Sequence, residues 1–135
     1  MSAENEAVAR KTIDALNHGD LDAFLALVTP DVVWEGLEGV TGVGALYRGR
    51  AGVREWIELM WRLAEEHAHI EIDQLTDLGD RVFIGLVLTA VRRGSGEPFE
   101  YRTWQILSFA DGLISRRQVF WTRAEALQTA RLRAE

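Results

Sequence analysis

The sequence predicts an α+β protein in which helices come first and an antiparallel sheet follows. Up to about residue 66 the apolar residues recur with helical spacing, whereas from His69 onward they alternate with a period of two. The runs after His69 are separated by short segments rich in Gly, Asp and Pro, which favour hairpin turns. Helices followed by hairpin-linked strands are typical of the α+β class.

Two helices are predicted before the first strand. Residues 3–17 carry an apolar stripe of helical spacing, and Gly19 ends the pattern. Asp20 is a suitable N-cap for a second, short helix over residues 21–28, because its side-chain oxygen can accept from the first backbone amides. The Thr29-Pro30 pair is expected to stop that helix, since the residue before a proline disfavours the helical conformation.

A short strand, a glycine-rich loop and a third helix are predicted next. The strand covers residues 31–35. The loop that follows Gly36 contains no Gly-Lys-Ser/Thr sequence, so it is not a phosphate-binding loop. The third helix covers residues 51–66 and has a broad apolar face.

Four strands and a closing helix are predicted for the rest of the chain. The turns between strands are residues 79–80, 93–98 and 111–112. Thr122 and Glu125 have the spacing of a capping box, so we expect a C-terminal helix to begin there. The strands are residues 69–77, 81–92, 99–109 and 113–121.

Composition limits the possible functions. The 135 residues fit one domain, 1–135, with the hydrophobic and charged fractions of a soluble globular protein. The formal net charge of −6 argues against nonspecific binding to nucleic acid or an anionic membrane. The absence of cysteine excludes disulfides and cysteine nucleophiles. The first residues lack the apolar segment of a signal peptide, so we expect a cytoplasmic protein.

Neither a metal nor a cofactor is expected. His67 and His69 lie two residues apart rather than at the helical metal-binding spacing of four, and no third ligand is evident in the sequence. The chain is nevertheless rich in tryptophan, and composition alone does not tell whether these rings fill a core or line a cavity. The five tryptophans are residues 34, 56, 61, 104 and 121.

Three segments of the chain occur in a familiar order. The first is ALNHGDLDAFLALVTPDVVWEG, the second is Tyr47-Arg48-Gly49 ahead of AGVREWIELMW, and the third is WQILSFADGLISRRQVFW. Their order and spacing resemble the nuclear transport factor 2-like superfamily, in particular its SnoaL-like and ketosteroid isomerase-like branches. The resemblance covers nearly the whole chain.

This resemblance implies a cone-shaped barrel. In such a barrel a strongly curved, mainly antiparallel sheet wraps over three N-terminal helices, a short C-terminal helix follows, and an apolar cavity lies inside. Proteins of this fold often dimerise through the outer face of the sheet. The fold hosts isomerases, polyketide cyclase-like enzymes and dehydratases as well as proteins that only bind ligands, so it leaves the function open.

Alternation along residues 99–109 separates two faces of that strand. Glu100 and Arg102 indicate that their face points outward. Trp104 and Ile106 share it, and exposed apolar surface there predicts a homodimer contact, with a locally covered outer residue as the alternative. The predicted inner face consists of Phe99, Tyr101, Thr103, Gln105, Leu107 and Phe109.

The residues of the final strand also alternate between two faces. Two consecutive arginines, Arg116 and Arg117, must point to opposite faces. The match to ketosteroid isomerases implies that the face of Arg117 forms part of the cavity wall. That face contains Ser115, Arg117, Val119 and Trp121, and the other contains Ile114, Arg116, Gln118 and Phe120.

The match to ketosteroid isomerases also implies that this chain differs from that family at its catalytic positions. Gln105 occupies the position of that family's protonated acid, and its amide can still donate to a developing enolate oxygen. Thr12 stands where the family has a tyrosine, and Gly36 stands at the position of its base. Glu35 is then the candidate general base if a bulge near Gly36 turns it inward, and the alternative is a solvated strand glutamate or an outward ion pair.

Arg117 is the candidate for holding an anion. A guanidinium in an apolar cavity needs a partner, either Glu35 or a substrate carboxylate, enolate or phenolate. The alternative is an arginine at the barrel rim that extends into water. The candidate catalytic residues are therefore Glu35, Gln105 and Arg117. The candidate substrate-binding residues are Trp34, Tyr47, Trp56, Tyr101, Thr103, Val119 and Trp121, with plain helix core as the alternative for Trp56.

The sequence thus predicts a SnoaL-like protein that binds a small, largely apolar, carbonyl-bearing molecule. The candidate reaction is cofactor-free proton transfer, as in isomerisation, cyclisation or dehydration. A binding or accessory protein with the same pocket is the alternative, favoured by Thr12, Gln105 and Gly36 at positions where an isomerase has reactive groups. A dimeric scaffold with a closed pocket is a third hypothesis.

Overall fold

The computed structural model describes residues 2–36, 46–63, 66–92 and 94–131, and within them the chain forms four helices and six strands. The α+β class predicted from the sequence is confirmed. The glycine-rich loop predicted after Gly36 lies outside the described residues up to residue 45. The elements are α1 (Ser2–His18), α2 (Leu21–Leu25), β1 (Val28–Glu35), β2 (Leu46–Arg48), α3 (Gly49–Leu63), β3 (Glu66–Asp77), β4 (Arg81–Val91), β5 (Pro98–Ala110), β6 (Leu113–Phe120) and α4 (Arg123–Ala130).

The six strands form a single sheet in the order β2-β1-β6-β5-β4-β3. Neighbouring strands are antiparallel except for β1 and β6, which run parallel. The hairpins from β3 to β6 are those that the turn chemistry predicted, and their strands agree with the predicted bounds to within three residues. β2 was not predicted, since three residues are too few to display alternation.

The second helix is shorter, and the first strand longer, than the sequence predicted. Asp20 caps α2 as expected, with its carboxylate accepting a backbone amide at 3.0 Å. The helix ends at Leu25, however, and β1 already begins at Val28. The backbone amide of Ile114 on β6 donates to the carbonyl oxygen of Leu27 at 2.9 Å, so a long-range hydrogen bond draws this stretch into the sheet. Tertiary pairing overrides the local preference here.

The third helix also ends earlier than predicted. It spans Gly49–Leu63 rather than residues 51–66. Glu66 belongs to β3 instead, where it pairs with Val91 of β4. The pairing partner is distant in sequence, so no local pattern could signal that the strand begins there.

The main hydrophobic core lies between α1, α3 and one face of the sheet, which we call the inner face. Ile13 of α1 and Ile57 of α3 belong to the same buried cluster as Ile84 of β4 and Leu107 of β5. The helices α1 and α3 therefore cover the inner face of the sheet. The opposite face, which we call the outer face, does not contact them.

The C-terminal helix covers part of the outer face. Thr122 caps α4, and the Glu125 amide donates to its hydroxyl at 3.2 Å, as the capping box predicted. Ala126 and Leu127 of this helix form a second buried cluster with Phe83 and Ile106. The expectation that Ile106 is exposed and available for a dimer contact is therefore wrong: α4 of the same chain covers it completely, at 0% exposure.

Trp104 lies on the outer face beside this cluster and is half-buried. Its ring is 5.9 Å from that of Phe83 and lies across Gly85, its partner on β4. A Cβ atom at position 85 would be 2.4 Å from the Trp104 ring, so only glycine leaves room for this packing.

This contact predicts strong coupling between the two positions. Gly85→Ala is expected to lower the free energy of unfolding by about 1–3 kcal/mol, because the added methyl forces the indole out of place. In a Trp104→Ala background the same change is expected to be neutral or stabilising, since glycine is unfavourable within a strand. Urea unfolding of the four proteins measures the coupling. An equal loss in both backgrounds would show that the indole does not limit this position.

Candidate functional site

A partly open cavity of about 280 Å³ lies between the inner face of the sheet and the helices α1 and α3. Most of its wall is apolar, with polar groups on α1, β5 and β6. The described residues that line it include no Asp, Glu or His. The lining consists of Thr12, Ile13, Leu16, Asn17, Phe24, Trp34, Trp56, Met60, Trp61, Ala68, Ile70, Ile84, Leu86, Leu88, Ala90, Phe99, Tyr101, Thr103, Gln105, Leu107 and Arg117.

Strand β5 supplies much of this wall, as its alternation predicted. Its pairing with β4 runs without a register shift from Pro98 to Ser108, so the two faces stay distinct along the strand. Phe99, Tyr101 and Gln105 line the cavity, and Thr103 and Leu107 continue the same row. Phe109 packs against the main core at the end of the row.

Arg117 enters the cavity from β6, and a bulge sets its direction. Ser108 pairs with Arg116 and Phe109 with Ile114, so Ser115 is an extra residue in β6. Ile114 is consequently buried in the main core on the same face as Arg117, and its assignment to the outer face by strict alternation is wrong. Arg117 is 5% exposed, whereas Arg116 is exposed, as expected of two consecutive arginines.

The guanidinium of Arg117 lies between two tryptophan rings. Its Cζ atom is 5.0 Å from the ring centroid of Trp34 and 4.7 Å from that of Trp56, within the range of cation–π attraction. Its Nη1 donates to the backbone carbonyl oxygen of Glu35 at 2.6 Å. Its Nε has no acceptor among the described residues, and neither do the indole Nε1 atoms of Trp34 and Trp56.

Burial perturbs both ionisable groups of the described cavity wall. Desolvation lowers the pKa of Arg117 to about 9, against the opposing attraction of Glu35 and Tyr101. Desolvation likewise raises the pKa of Tyr101, and the nearby Arg117 charge partly offsets this effect. The positive charge of Arg117 is thus held in surroundings that disfavour it, which is the condition under which an anion binds most strongly.

Glu35 is not among the described residues that line the cavity. Its Oε1 accepts from the backbone amide of Val119 at 3.2 Å, and its Oε2 is 4.0 Å from Nη2 of the exposed Arg116. The pairing of β1 with β2 runs from Val33 to Glu35 without a shift, so no bulge turns this side chain to the side of Trp34. The outward ion pair, which was the alternative at the sequence level, describes its position.

The other two positions matched to the isomerase centre do line the cavity. Thr12 is buried on α1, and its hydroxyl donates to the carbonyl oxygen of Ala9 at 2.6 Å. Gln105 is 7% exposed on β5, where it pairs with Val119 of β6. Gly36 follows the last residue of β1 and is buried.

The remaining predicted substrate-binding residues are divided between the wall and its surroundings. Trp34, Trp56, Tyr101 and Thr103 line the cavity. Three others are not among the described lining residues: Tyr47 packs against the core as the β2 partner of Trp34, Val119 donates its amide to Glu35, and Trp121 is 44% exposed. The ring of Trp121 lies 5.9 Å from that of Tyr101.

Sequence reasoning missed the part of the wall that the helices provide. Trp61 was not among the candidate binding residues, but it lines the cavity together with Trp56. Asn17 of α1 also lines it, and its side chain forms two hydrogen bonds of 2.8 Å with the backbone of Ile70 on β3. The apolar stripes of α1 and α3 were visible in the sequence, but a stripe does not separate residues that touch the sheet from residues that face a cavity.

The described residues also bear on metal binding and on membrane-spanning helices. Among the described residues, no three His, Asp or Glu side chains come together in an arrangement suited to a metal ion. Within the same part of the chain, no helix combines the length and apolarity needed to cross a membrane.

A sheet wrapped over helices around an apolar cavity defines a protein of the nuclear transport factor 2-like class. The sequence model of the SnoaL-like domain matches residues 9–117, and the chain belongs to this family.

Individual relatives agree with this assignment. The chain is 29% identical to the steroid Δ-isomerase of Nocardioides simplex over 136 aligned positions, which cover 96% of this chain and 98% of that enzyme. A crystal structure of a nuclear transport factor 2-like protein from Burkholderia pseudomallei has a TM-score of 0.77 at 20% identity, covering 93% and 95% of the two chains. A Mycobacterium tuberculosis protein solved with estradiol-17β-hemisuccinate has a TM-score of 0.73 at 20% identity, covering 90% and 95%. At these identities the structural matches establish the fold alone.

The buried charge predicts that Arg117→Met does not destabilise the ligand-free protein. Replacing a buried ion pair by apolar side chains of similar size is often neutral or stabilising by about 1–4 kcal/mol, and Arg117→Met likewise removes a buried charge whose desolvation is unfavourable. Denaturant unfolding at pH 7 measures the difference, and Arg116→Met is the matched control, with an expected change within about 0.5 kcal/mol because that side chain is exposed.

The stability difference between the wild type and Arg117→Met also depends on pH, in a direction that the pKa of Arg117 defines. Because desolvation lowers the pKa of Arg117, the folded wild type begins to release this proton at a lower pH than the unfolded chain does. The unfolded state then binds more protons, so wild-type stability rises with pH relative to Arg117→Met. A difference that stays constant from pH 7 to above pH 9 would contradict the assigned pKa direction.

Proposed function

We propose that this protein binds a small, largely apolar, carbonyl-bearing molecule inside the cavity. The observation that carries the proposal is the composition of the wall, in which a continuous apolar and aromatic surface is interrupted by a few polar groups on adjacent strands. Ligand sites typically combine an apolar lining with a few such groups that fix orientation. At about 280 Å³ the cavity is at the lower end of the usual range, which favours a ligand of a few rings.

The strands suggest how the ligand is oriented. Gln105 on β5 and Arg117 on β6 lie on neighbouring strands and can donate to one carbonyl or enolate oxygen. Trp34, Trp56 and Tyr101 would then hold the apolar body, with Thr103 beside them. Trp121 would meet the ligand next to Tyr101, while Tyr47 and Val119 would act by supporting Trp34 and Gln105.

The relatives support this class of ligand. One relative is a steroid Δ-isomerase, and one structural neighbour was solved with a steroid hemisuccinate. Both names indicate polycyclic, largely apolar molecules, and we extend that class to the present chain as part of the proposal.

The proposal predicts a selective effect of Gln105→Leu, which removes the amide at nearly constant volume. We expect affinity for a polycyclic ketone to fall about tenfold, the equivalent of one hydrogen bond, while affinity for the hydrocarbon of the same shape is retained. Quenching of tryptophan fluorescence measures both affinities. Gln118→Leu, on the outer side of β6, is the matched control and should change neither. Absence of quenching by any such molecule would favour the scaffold hypothesis.

Proton transfer is the second candidate function. It is favoured by the isomerase relative, which aligns over 96% of this chain, and by the contact of Glu35 with the Arg117 guanidinium through its carbonyl oxygen. In this proposal Glu35 would turn toward the cavity and move the proton, while Gln105 and Arg117 stabilise the enolate. The non-catalytic alternative leaves Glu35 in its ion pair with Arg116.

Deuterium exchange separates these two candidates. A bound ketone is incubated in deuterated buffer, and incorporation at the α-carbon is followed by mass spectrometry. Proton transfer by Glu35 predicts that Glu35→Gln reduces the exchange rate by about 100-fold or more. Equal rates in the two proteins would remove Glu35 from the mechanism while leaving the binding proposal intact.

Association of two chains through the outer face of the sheet also remains a proposal. With Ile106 covered by α4, the contact would rest on the half-buried Trp104 and the neighbouring outer surface of β5. Sedimentation at several protein concentrations tests whether a dimer forms.

A further inference from the structure

Three buried N–H groups belong to side chains that pack together in the cavity wall, and none has an acceptor among the described residues. They are Nε of Arg117 and the indole Nε1 atoms of Trp34 and Trp56. The three side chains are 5%, 3% and 7% exposed, and all three line the cavity. Buried donors in folded proteins nearly always have a partner, so three together call for an explanation.

The three groups form one cluster. The ring centroids of Trp34 and Trp56 are 5.3 Å apart, and the Arg117 Cζ atom is 5.0 Å and 4.7 Å from them. Among the described residues, the guanidinium donates one hydrogen bond, from Nη1 to the Glu35 carbonyl oxygen. The cluster therefore combines a positive charge with several N–H donors.

None of the described residues places a negative charge beside this cluster inside the cavity. The described lining residues include no carboxylate, and the Glu35 carboxylate is bonded instead to the Val119 amide near Arg116. A buried cation without a partner is unfavourable, and a charge-assisted hydrogen bond to an oxyanion is the strongest way to satisfy it. Indole N–H groups only donate, so they favour the same kind of partner.

We propose that the ligand of this cavity carries an anionic oxygen, a carboxylate or phenolate on a flat apolar body, and that Arg117, Trp34 and Trp56 bind that oxygen. This inference rests on the proposed binding function and specifies the class of ligand. The flat body follows from the aromatic wall of Phe99, Tyr101 and the two indoles, which offers ring faces for stacking. In this proposal Trp34 and Trp56 donate hydrogen bonds to the ligand in addition to forming part of the cavity wall.

A matched pair of probes tests this inference by calorimetry. 2-Naphthoate and 2-naphthamide have the same shape, but only the first is an anion at neutral pH. We expect the wild type to bind the carboxylate about 10- to 100-fold more tightly, the range of one or more charge-assisted hydrogen bonds. Arg117→Met is expected to remove this preference, whereas Arg116→Met, the adjacent arginine that points outward, should keep it.

The tryptophans are tested with single replacements by phenylalanine, which keeps an aromatic ring and removes the N–H. Trp34→Phe and Trp56→Phe are each expected to reduce the preference for the carboxylate by about threefold to tenfold. Trp61→Phe is the matched control, because Trp61 lines the cavity but is not part of the unsatisfied cluster. It is expected to affect both probes equally.

Nuclear magnetic resonance gives a readout in the wild type that does not depend on how well the variants fold. The indole N–H resonances are assigned from the Trp→Phe spectra, and each probe is then titrated. We expect the signals of Trp34 and Trp56 to move downfield with 2-naphthoate and much less with 2-naphthamide, because a hydrogen bond to a carboxylate deshields the proton. Trp104, which lies on the outer face of the sheet away from the cavity, serves as the internal reference for nonspecific effects.

The outcomes separate this inference from the proposed function. Equal binding of the two probes, with unchanged indole shifts, would overturn the anion site but leave the cavity as a binding site for neutral molecules. Loss of both probes to the same extent in Arg117→Met would do likewise. Binding of neither probe would count against the proposed function itself and, with it, the anion site.

Discussion

The buried guanidinium of Arg117 is the constraint on which the arrangement of the cavity depends. Taking a cation out of water costs several kcal/mol unless surrounding groups compensate. Compensation here comes from two other elements: β1 supplies the Trp34 ring and the Glu35 carbonyl, and α3 supplies the Trp56 ring. Displacement of either element would leave the charge less well compensated. The contact between β1, β6 and α3 is therefore both a packing arrangement and an electrostatic one.

The bulge at Ser115 is what makes this arrangement possible. Without the extra residue, alternation from the buried Ile114 would turn Arg116 inward and Arg117 outward. With it, Arg117 joins the inner face, and the parallel pairing of β1 and β6 sets Trp34 directly beside Arg117. One inserted residue thus selects which arginine is buried and which ring it meets. This accords with the frequent occurrence of bulges next to functional sites, where they redirect a side chain.

Features set by neighbouring residues could be predicted from the sequence, whereas features set by tertiary contacts could not. Local patterns located the helices, the hairpins and the inner face of β5, because turn chemistry and alternation act over neighbouring residues. Apart from the short strand β2, the errors in the fold arise from tertiary contacts that no local pattern displays. Ile114 draws Leu27 into the sheet, Val91 pairs with Glu66, α4 covers Ile106, and the bulge reverses part of β6. Within the site, the inward direction of Arg117 was predicted, but its position between two indoles depends on that long-range register and was not.

The charge of the cavity distinguishes this chain from the isomerase pattern that its sequence resembles. At the matched positions Thr12 and Gln105 carry neutral groups and Gly36 carries none, while the charge comes from a different strand and is positive. In an apolar cavity a carboxylate can accept a proton from the ligand. A guanidinium instead stabilises negative charge on the ligand. Glu35 contributes to both arrangements, since its backbone carbonyl accepts from the Arg117 guanidinium while its carboxylate accepts from the Val119 amide. To act as a base inside the cavity, this side chain has to leave the Val119 amide and turn inward, whereas its carbonyl can keep the bond that supports Arg117.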